Sequence, residues 1–262
     1  MSSWFIGLIG CGNLGSIIIE RLLKADIRKE NIKIFDKDYK KVRALGFEPC
    51  NLIDLFNADI LFLAVKPFQA KEVLKDLKIK EGAVLLSTMA GVEIEKIQNL
   101  ITTDKEKERA ICRLMPNIGI KLGLASIAIT YNEHVNEAQK IKIKEILENF
   151  GSIIEIPEKD FDAFTALVGS GPAFVSSILE AFTLGGIACG LNKDDSQKLT
   201  LETFNASIEL IKSGLNFDDL RFLVSSPAGT TIAGLEVLEK NAIRGDIIEC
   251  LIKACKRSKE LK

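Results

Sequence analysis

An apolar stretch from Trp4 to Ile9 runs straight into Gly10-Cys11-Gly12-Asn13-Leu14-Gly15. That hexapeptide opens a pattern with Leu14, Ile17, Ile18 and Leu22 on one helical face. Strand, glycine turn and helix in this order form the first part of a βαβ unit. A second strand-like segment, Asn31 to Phe35, ends at Asp36, 21 positions beyond Gly15. The spacing G-x-G-x-x-G is weak alone and also suits a purely structural turn. With a strand before it, a helix after it and an acidic residue at the end of the next strand, it becomes a dinucleotide-binding pattern. Gly10 allows the tight turn, Gly12 lets backbone approach a pyrophosphate, and Gly15 lets helix and strand pack closely. The helix start contributes free N–H groups and a positive dipole end. The whole hexapeptide, Gly10 through Gly15, and Asp36 are therefore candidate cofactor ligands.

Asp36 is suited to accept hydrogen bonds from the adenosine ribose, and its charge repels a 2′-phosphate, which favours NADH over NADPH. Lys37, Lys40 and Lys41 follow closely and pull the other way. The expectation is NADH or NADPH, with a slight preference for NADH.

The rest of the first half alternates apolar runs with amphipathic stretches. Helices are expected at Asp38–Leu45 and Val135–Phe150, and strands at Ile60–Val65, Ala83–Leu86, Ala110–Met115, Ser126–Thr130 and Ser152–Ile156. Continuous apolar runs suit parallel strands buried on both faces, so a Rossmann-type doubly wound α/β sheet is expected. After Pro157 strand signals vanish. Helices are expected at Ala173–Gly190, with Pro172 at its first position, at Asp195–Ser213, with Asp194 as N-cap, and at Ala242–Lys259. The division is thus a dinucleotide-binding domain, 1–157, and an all-helical domain, 158–262. The last helix carries Ile243, Ile247, Ile248, Leu251, Ile252 and Cys255 as a broad apolar stripe, which suits either packing within its own domain or an interface with a second subunit.

Composition narrows the function classes. Lys+Arg is 35 against Asp+Glu 36, a net charge of -1, so the basic excess of a nucleic-acid binder is missing. Six cysteines, none in a C-x-x-C pair, and a single histidine, His134, argue against a metal site. They read instead as scattered buried thiols of a reducing compartment. His134 lies in a polar connector and reads as a surface residue, and the charged run Asp104–Arg109 as a solvated turn. No apolar run of about 18 residues, as a membrane span needs, is evident. The Met1-Ser2-Ser3-Trp4 start lacks a signal-peptide n-region, so a cytoplasmic protein is expected.

Three segments fall where strands should end, and ligands of open α/β sheets bind beyond those ends. They are Ala64-Val65-Lys66-Pro67, Ser87-Thr88-Met89-Ala90-Gly91 and Met115-Pro116-Asn117, and ordinary turn chemistry explains each as well. In the helical half, Gly169-Ser170-Gly171-Pro172 and Ser225-Ser226-Pro227-Ala228-Gly229-Thr230-Thr231 each lead into a helix. Each suits an anion cradle or plain capping.

Taken together these segments resemble the pyrroline-5-carboxylate reductase family over nearly the whole chain. The resemblance rests on the glycine-rich start, Asn51 eight residues before Asp59, Ala64-Val65-Lys66-Pro67, Met115-Pro116-Asn117 and Gly169-Ser170-Gly171-Pro172-Ala173. Above all it rests on Ser226-Pro227-Ala228-Gly229-Thr230-Thr231-Ile232-Ala233-Gly234-Leu235. The chain departs from the family in having Ala228-Gly229 for Gly-Gly, Asn216-Phe217 for His-Pro, and Phe222 for a later Asp. The resemblance implies reduction of L-1-pyrroline-5-carboxylate to L-proline with NAD(P)H, the last step of proline synthesis. It implies that Thr231, as the catalytic residue, hydrogen-bonds the ring nitrogen, and that Ser226, Gly229 and Thr230 hold the carboxylate. It adds Asn51, Ala64, Val65, Lys66, Pro67, Ala90, Gly91 and Asn117 to the cofactor site. It also implies a homodimer, or larger homo-oligomer, formed through the helical domain with the site between subunits. Two rivals share the architecture. A β-hydroxyacid or imine reductase would place a Lys after Gly169-Ser170-Gly171, where this chain has Pro172-Ala173-Phe174-Val175-Ser176-Ser177. A non-catalytic sensor would keep the cofactor fold and tolerate the altered loop.

Overall fold

The computed structural model describes residues 4–101 and 109–260. Met1–Ser3 and, apart from Arg109, the charged run Asp104–Arg109 lie outside the described residues. Contacts divide the chain into two compact units, one of residues 1–169 and 255–262, the other of residues 170–254.

The first unit is built on a seven-stranded sheet of order β2-β1-β3-β4-β5-β6-β7. Its strands are β1 (Ile6–Ile9), β2 (Ile32–Phe35), β3 (Ile60–Leu63), β4 (Val84–Ser87), β5 (Ala110–Pro116), β6 (Ala125–Tyr131) and β7 (Gly151–Glu155). Each neighbouring pair is parallel except β5–β6. That exception was not evident in the sequence. Only the short 3₁₀ turn Ile118–Leu122 joins these two strands, and a parallel pairing would need a long crossover.

Alternation along the strands sorts the core into two clusters, because successive side chains point to opposite faces. Leu8, Phe62, Leu86 and Cys112 join one face with Ile18 and Leu22 of α1 (Asn13–Lys24), Val42 of α2 (Tyr39–Ala44) and Ile143 of α5 (Glu137–Leu147). Ile9, Leu61, Leu85 and Ile111 join the other with Val73 of α3 (Ala70–Leu74) and Ile97 of α4 (Ile94–Leu100). A sheet covered on both faces explains why its strands read as unbroken apolar runs.

The segment after Pro157 is held to this unit. Glu158 accepts hydrogen bonds from Ile94 N (2.9 Å) and Arg113 Nη1 (3.0 Å). The Arg113 guanidinium, 3% exposed, lies 4.5 Å from the centre of the Phe161 ring. Buried Asp162 accepts from Ser258 Oγ at 2.8 Å, which fastens the end of the last helix to the same unit. These contacts put the compact division at Gly169–Ser170, later than the change of sequence texture at Pro157. A short helix, α6 (Phe161–Phe164), passes into a π-helical turn, Thr165–Gly169.

The second unit contains α7 (Gly171–Ala188), α8 (Lys193–Lys212), α9 (Phe217–Leu223), α10 (Thr230–Lys240) and most of α11 (Ile243–Glu260). α7 and α8 approach closely at Gly186, where a Cβ would collide with Ser196 Oγ. Ser196 Oγ donates to Thr183 O at 2.7 Å, and the Phe182 and Phe204 rings meet edge to face at 4.9 Å. The N-cap of α8 is Asn192, which accepts from Asp195 N at 2.9 Å; Asp194, expected as the cap, sits in the first turn, where its charge complements the dipole.

Among the described residues of this unit, only Ser196 and Thr200 are buried, so no apolar side chain of the unit is buried within one chain. Ile248 and Ile252 of the α11 stripe are 58% and 62% exposed. The helical run Glu158–Ala188 is long and apolar enough to cross a membrane by length and composition alone, contrary to the expectation that no such run exists. All six cysteines are free. Two of them, Cys11 and Cys112, are buried as expected, whereas Cys189 is exposed and Cys50, Cys250 and Cys255 are half-buried.

Candidate active site

The order β2-β1-β3 means that the chain leaves β1 to one side and returns to its other side. The crevice beyond the carboxyl ends of β1 and β3 is where ligands of such sheets bind. A cleft of about 250 Å³ lies there, lined by Gly10 and Gly12, by Asp36, Lys37 and Lys41 beyond β2, and by Ala64 to Lys66 beyond β3.

Each glycine has its own reason. Gly10 has φ +95°, and a Cβ there would lie 2.8 Å from Ala64 O. A Cβ on Gly15 would collide with the Gly10 carbonyl, so this residue sets the approach of α1 to β1. A Cβ on Gly12 would meet no protein atom within 4 Å and would fill part of the cleft. The α1 N-terminus has Gly12 as its cap, no side-chain cap and no acidic residue in its first turn. Its N–H groups and dipole are therefore left for an anion, and the set fits a dinucleotide pyrophosphate.

Asp36 anchors this loop. Its Oδ2 accepts from Cys11 N at 2.5 Å, its Oδ1 accepts from Asp38 N at 2.8 Å, and Gly10 N donates to Phe35 O at 2.9 Å. A carboxylate has room for about four hydrogen bonds, so a ribose hydroxyl can still be accepted. Lys37 Nζ is paired with Glu72 Oε2 at 2.5 Å, and Lys41 Nζ lies 3.6 Å from Asp38 Oδ2. Lys37 holds the Glu72 carboxyl below its usual range by hydrogen bond and charge. Burial, with Asp36 adding to it, pushes the Cys11 thiol up from its ordinary range.

The other expected cofactor residues are dispersed. Pro67 starts the 3₁₀ turn Pro67–Gln69 just past the cleft. Asn51 caps the turn Leu52–Leu55 and lines a separate depression with Lys33 and Cys50. Ala90 and Gly91 follow β4, with Gly91 at φ +70°. Asn117 accepts from Gly119 N at 3.1 Å and donates to Val168 O at 3.3 Å, tying the end of β5 to the π-helical turn.

In the helical unit, the loop Ser225–Gly229 feeds α10. Gly229 is the N-cap without a side-chain cap, and a Cβ there would collide with Ser226 Oγ. Gly229 N already donates to Ser226 O at 2.9 Å, so it is not available to a ligand, unlike the expectation for the N–H groups around it. The N–H groups of Thr230, Thr231 and Ile232 have no intrahelical acceptor. Thr231 Oγ1 donates its proton to Val224 O at 2.8 Å, which leaves the oxygen's lone pairs facing outward from that bond. Ala228 has φ +57°, a left-handed conformation that favours glycine. Asn216 replaces the expected family residue as a cap, accepting from Asp218 N and Asp219 N at 3.0 and 2.9 Å.

The chain is 36% identical to a pyrroline-5-carboxylate reductase of Aquifex aeolicus, over 98% of this chain and 97% of that protein. It belongs to the pyrroline-5-carboxylate reductase family. A Synechocystis protein of the same name is also 36% identical, with 98% of this chain and 97% of that protein covered. A crystal structure of Plasmodium falciparum pyrroline carboxylate reductase with NADP bound superposes with a TM-score of 0.88 at 30% identity, covering 99% of this chain and 98% of that one. Residues 158–261 match the family model for pyrroline-5-carboxylate reductase dimerisation, and residues 5–91 match that for NADP oxidoreductase coenzyme F420-dependent.

Two features beside the expected site residues, one in each unit, had no clear sequence signal. Ser225 Oγ, at the foot of the loop, is enclosed without a hydrogen-bond partner, an unusual state for a buried hydroxyl. The sequence reading chose its neighbour Ser226, and nothing in one sequence separates two adjacent serines. Glu72, which occupies Lys37, lies far along the chain from Asp36 and reads as an ordinary helix-surface charge. Among the described residues, no three of His, Cys, Asp or Glu are grouped to hold a metal ion.

Proposed function

We infer that the chain reduces 1-pyrroline-5-carboxylate to proline, using NAD(P)H. The observation that carries this reading is the end-to-end match to reductases of that name. NAD(P)H, when bound, supplies the hydride that reduces the ring C=N bond. Gly10 to Gly15 and the α1 N-terminus hold the pyrophosphate, and Asp36 accepts from the adenosine ribose. The N–H groups of Thr230, Thr231 and Ile232, with Ser226 beside them, receive the substrate carboxylate at a helix start. Thr231 Oγ1 donates its hydrogen bond to Val224 O, so its oxygen accepts rather than donates at the ring nitrogen. The imine therefore enters already protonated, with its N–H pointing at Thr231, and the electron pair released by the C=N bond stays on that nitrogen. His134, the one histidine of the sequence, pairs with Glu133 at 3.4 Å in a surface connector of the first unit. Catalysis is then mainly orientation.

NADH is the preferred donor. Asp36 repels a 2′-phosphate, and Glu72 already engages Lys37, the nearest rival cation after Asp36. The ratio of kcat/KM for NADH to that for NADPH is expected to exceed one; a strong NADPH preference contradicts this assignment.

The functional division is 1–157 for the cofactor and 158–262 for the substrate loop and a homodimer, possessing the apolar helical surface that a second copy would cover. The free thiols suit a reducing compartment. Thr231→Ala is expected to lower kcat about a hundredfold while leaving the NADH dissociation constant unchanged, measured by single-turnover kinetics and fluorescence titration. Loss of both together, or of neither, contradicts the role given to Thr231.

A further inference from the structure

Phe68 is 83% exposed, yet its position is fixed. It sits at the middle of the 3₁₀ turn Pro67–Gln69, which begins four positions beyond Leu63, the last residue of β3. Pro67 restricts the backbone, Gln69 Oε1 accepts from Lys66 N at 3.2 Å, and Gln69 N donates to Lys66 O at 2.9 Å. The following helix is clamped into the core by Ala70, Val73 and Leu74, all buried. A large apolar ring is thus presented to solvent by a well-anchored turn and contributes little to the core.

A single exposed apolar residue is ordinary on a protein surface. This one also lines the cleft that holds Gly12 and Asp36. The side of that cleft formed beyond β2, by Asp36, Lys37 and Lys41, is the adenosine side, because the acidic residue there serves the ribose. Charged side chains make up that wall, whereas a purine is flat and apolar on both faces. Phe68 supplies a ring on the wall formed beyond β3.

We propose that Phe68 is the stacking platform for the adenine ring of the cofactor and thereby a positioning residue for the dinucleotide. The inference rests on the reading of the cleft as the NAD(P)H site. Stacking of a base on an aromatic ring is a substantial share of binding and is insensitive to the 2′-phosphate.

The test compares NADH, NADPH and reduced nicotinamide mononucleotide, which lacks adenosine, by fluorescence titration of the wild-type homo-oligomer and three variants. Phe68→Ala and Phe68→Leu are expected to raise the dissociation constants of NADH and NADPH about tenfold. Phe68→Trp is expected to keep them near wild type, and none of the variants to change that of the mononucleotide. Melting temperatures should stay at the wild-type value, since the ring is outside the core. Unchanged NADH binding in Phe68→Ala overturns the proposal. Wild-type binding by Phe68→Leu overturns stacking as the cause. Equal weakening of the mononucleotide shows that Phe68 shapes the loop and overturns it too. Failure of the wild-type protein to bind either dinucleotide refutes the cofactor reading of the cleft itself, an outcome distinct from all of these.

Discussion

Ala228 sits where the family's glycine would be unstrained, at φ +57° in the loop that feeds α10. An L-residue in that region costs about 1 kcal/mol, and strain of this kind persists where surrounding contacts over-determine the backbone. Here Gly229 N to Ser226 O and Thr231 Oγ1 to Val224 O supply those contacts on either side. Ala228→Gly is expected to stabilise the protein by about 0.5–1 kcal/mol, read as a raised denaturation midpoint. A lowered midpoint would mean that the alanine methyl packs against something that offsets the strain. At this scale the sequence was informative about residue types and silent about hydrogen-bond direction. Thr231 was legible as a loop hydroxyl, but its hydrogen bond to Val224 O joins residues seven positions apart and depends on the path of the loop between them. Gly229 N looked available for the same reason, because its use by Ser226 O is invisible in the string of letters.

At the scale of elements, strands were legible wherever both faces are covered, as at Ile60–Leu63 and Val84–Ser87. Helix ends were less so. Asn192 and Asp194 are both good caps by type, and the structure starts α8 after Asn192, which accepts from Asp195 N. The direction of β6 was not legible, since it follows from the length of one connection. The Arg113–Glu158 pair is a further element-scale device. It joins β5, the start of α4 and the segment leading to the π-helical turn, through Glu158 contacts of 3.0 Å to Arg113 and 2.9 Å to Ile94 N. Arg113→Ala removes a buried guanidinium together with its contact on Phe161. It is expected to destabilise the protein by about 3 kcal/mol, measured by denaturant unfolding. A loss under about 1 kcal/mol would show that the pair behaves as an exposed surface bridge.

For the whole molecule, the two units differ in kind. The first has two apolar clusters, one on each face of its sheet, whereas the second buries no apolar side chain by itself. A helical unit in that state gains its core from association. The α11 stripe read from the sequence left open whether its partner lay inside the domain, and the exposure of Ile248 and Ile252 within one chain favours a second copy. Introducing Ile248→Asp with Ile252→Asp is expected to yield a monomer by sedimentation, with activity lost. A fully active monomer would contradict the account of how this unit is stabilised.

The central claim is that the chain reduces a protonated cyclic imine acid to proline with the hydride of NAD(P)H. The most direct test follows NADH and NADPH oxidation by the purified protein with 1-pyrroline-5-carboxylate, with proline quantified as product across a pH series. The account predicts one proline per reduced cofactor consumed, and a kcat/KM that falls as rising pH strips the ring nitrogen of its proton. Cofactor oxidation without proline, or no turnover with either cofactor, would contradict it.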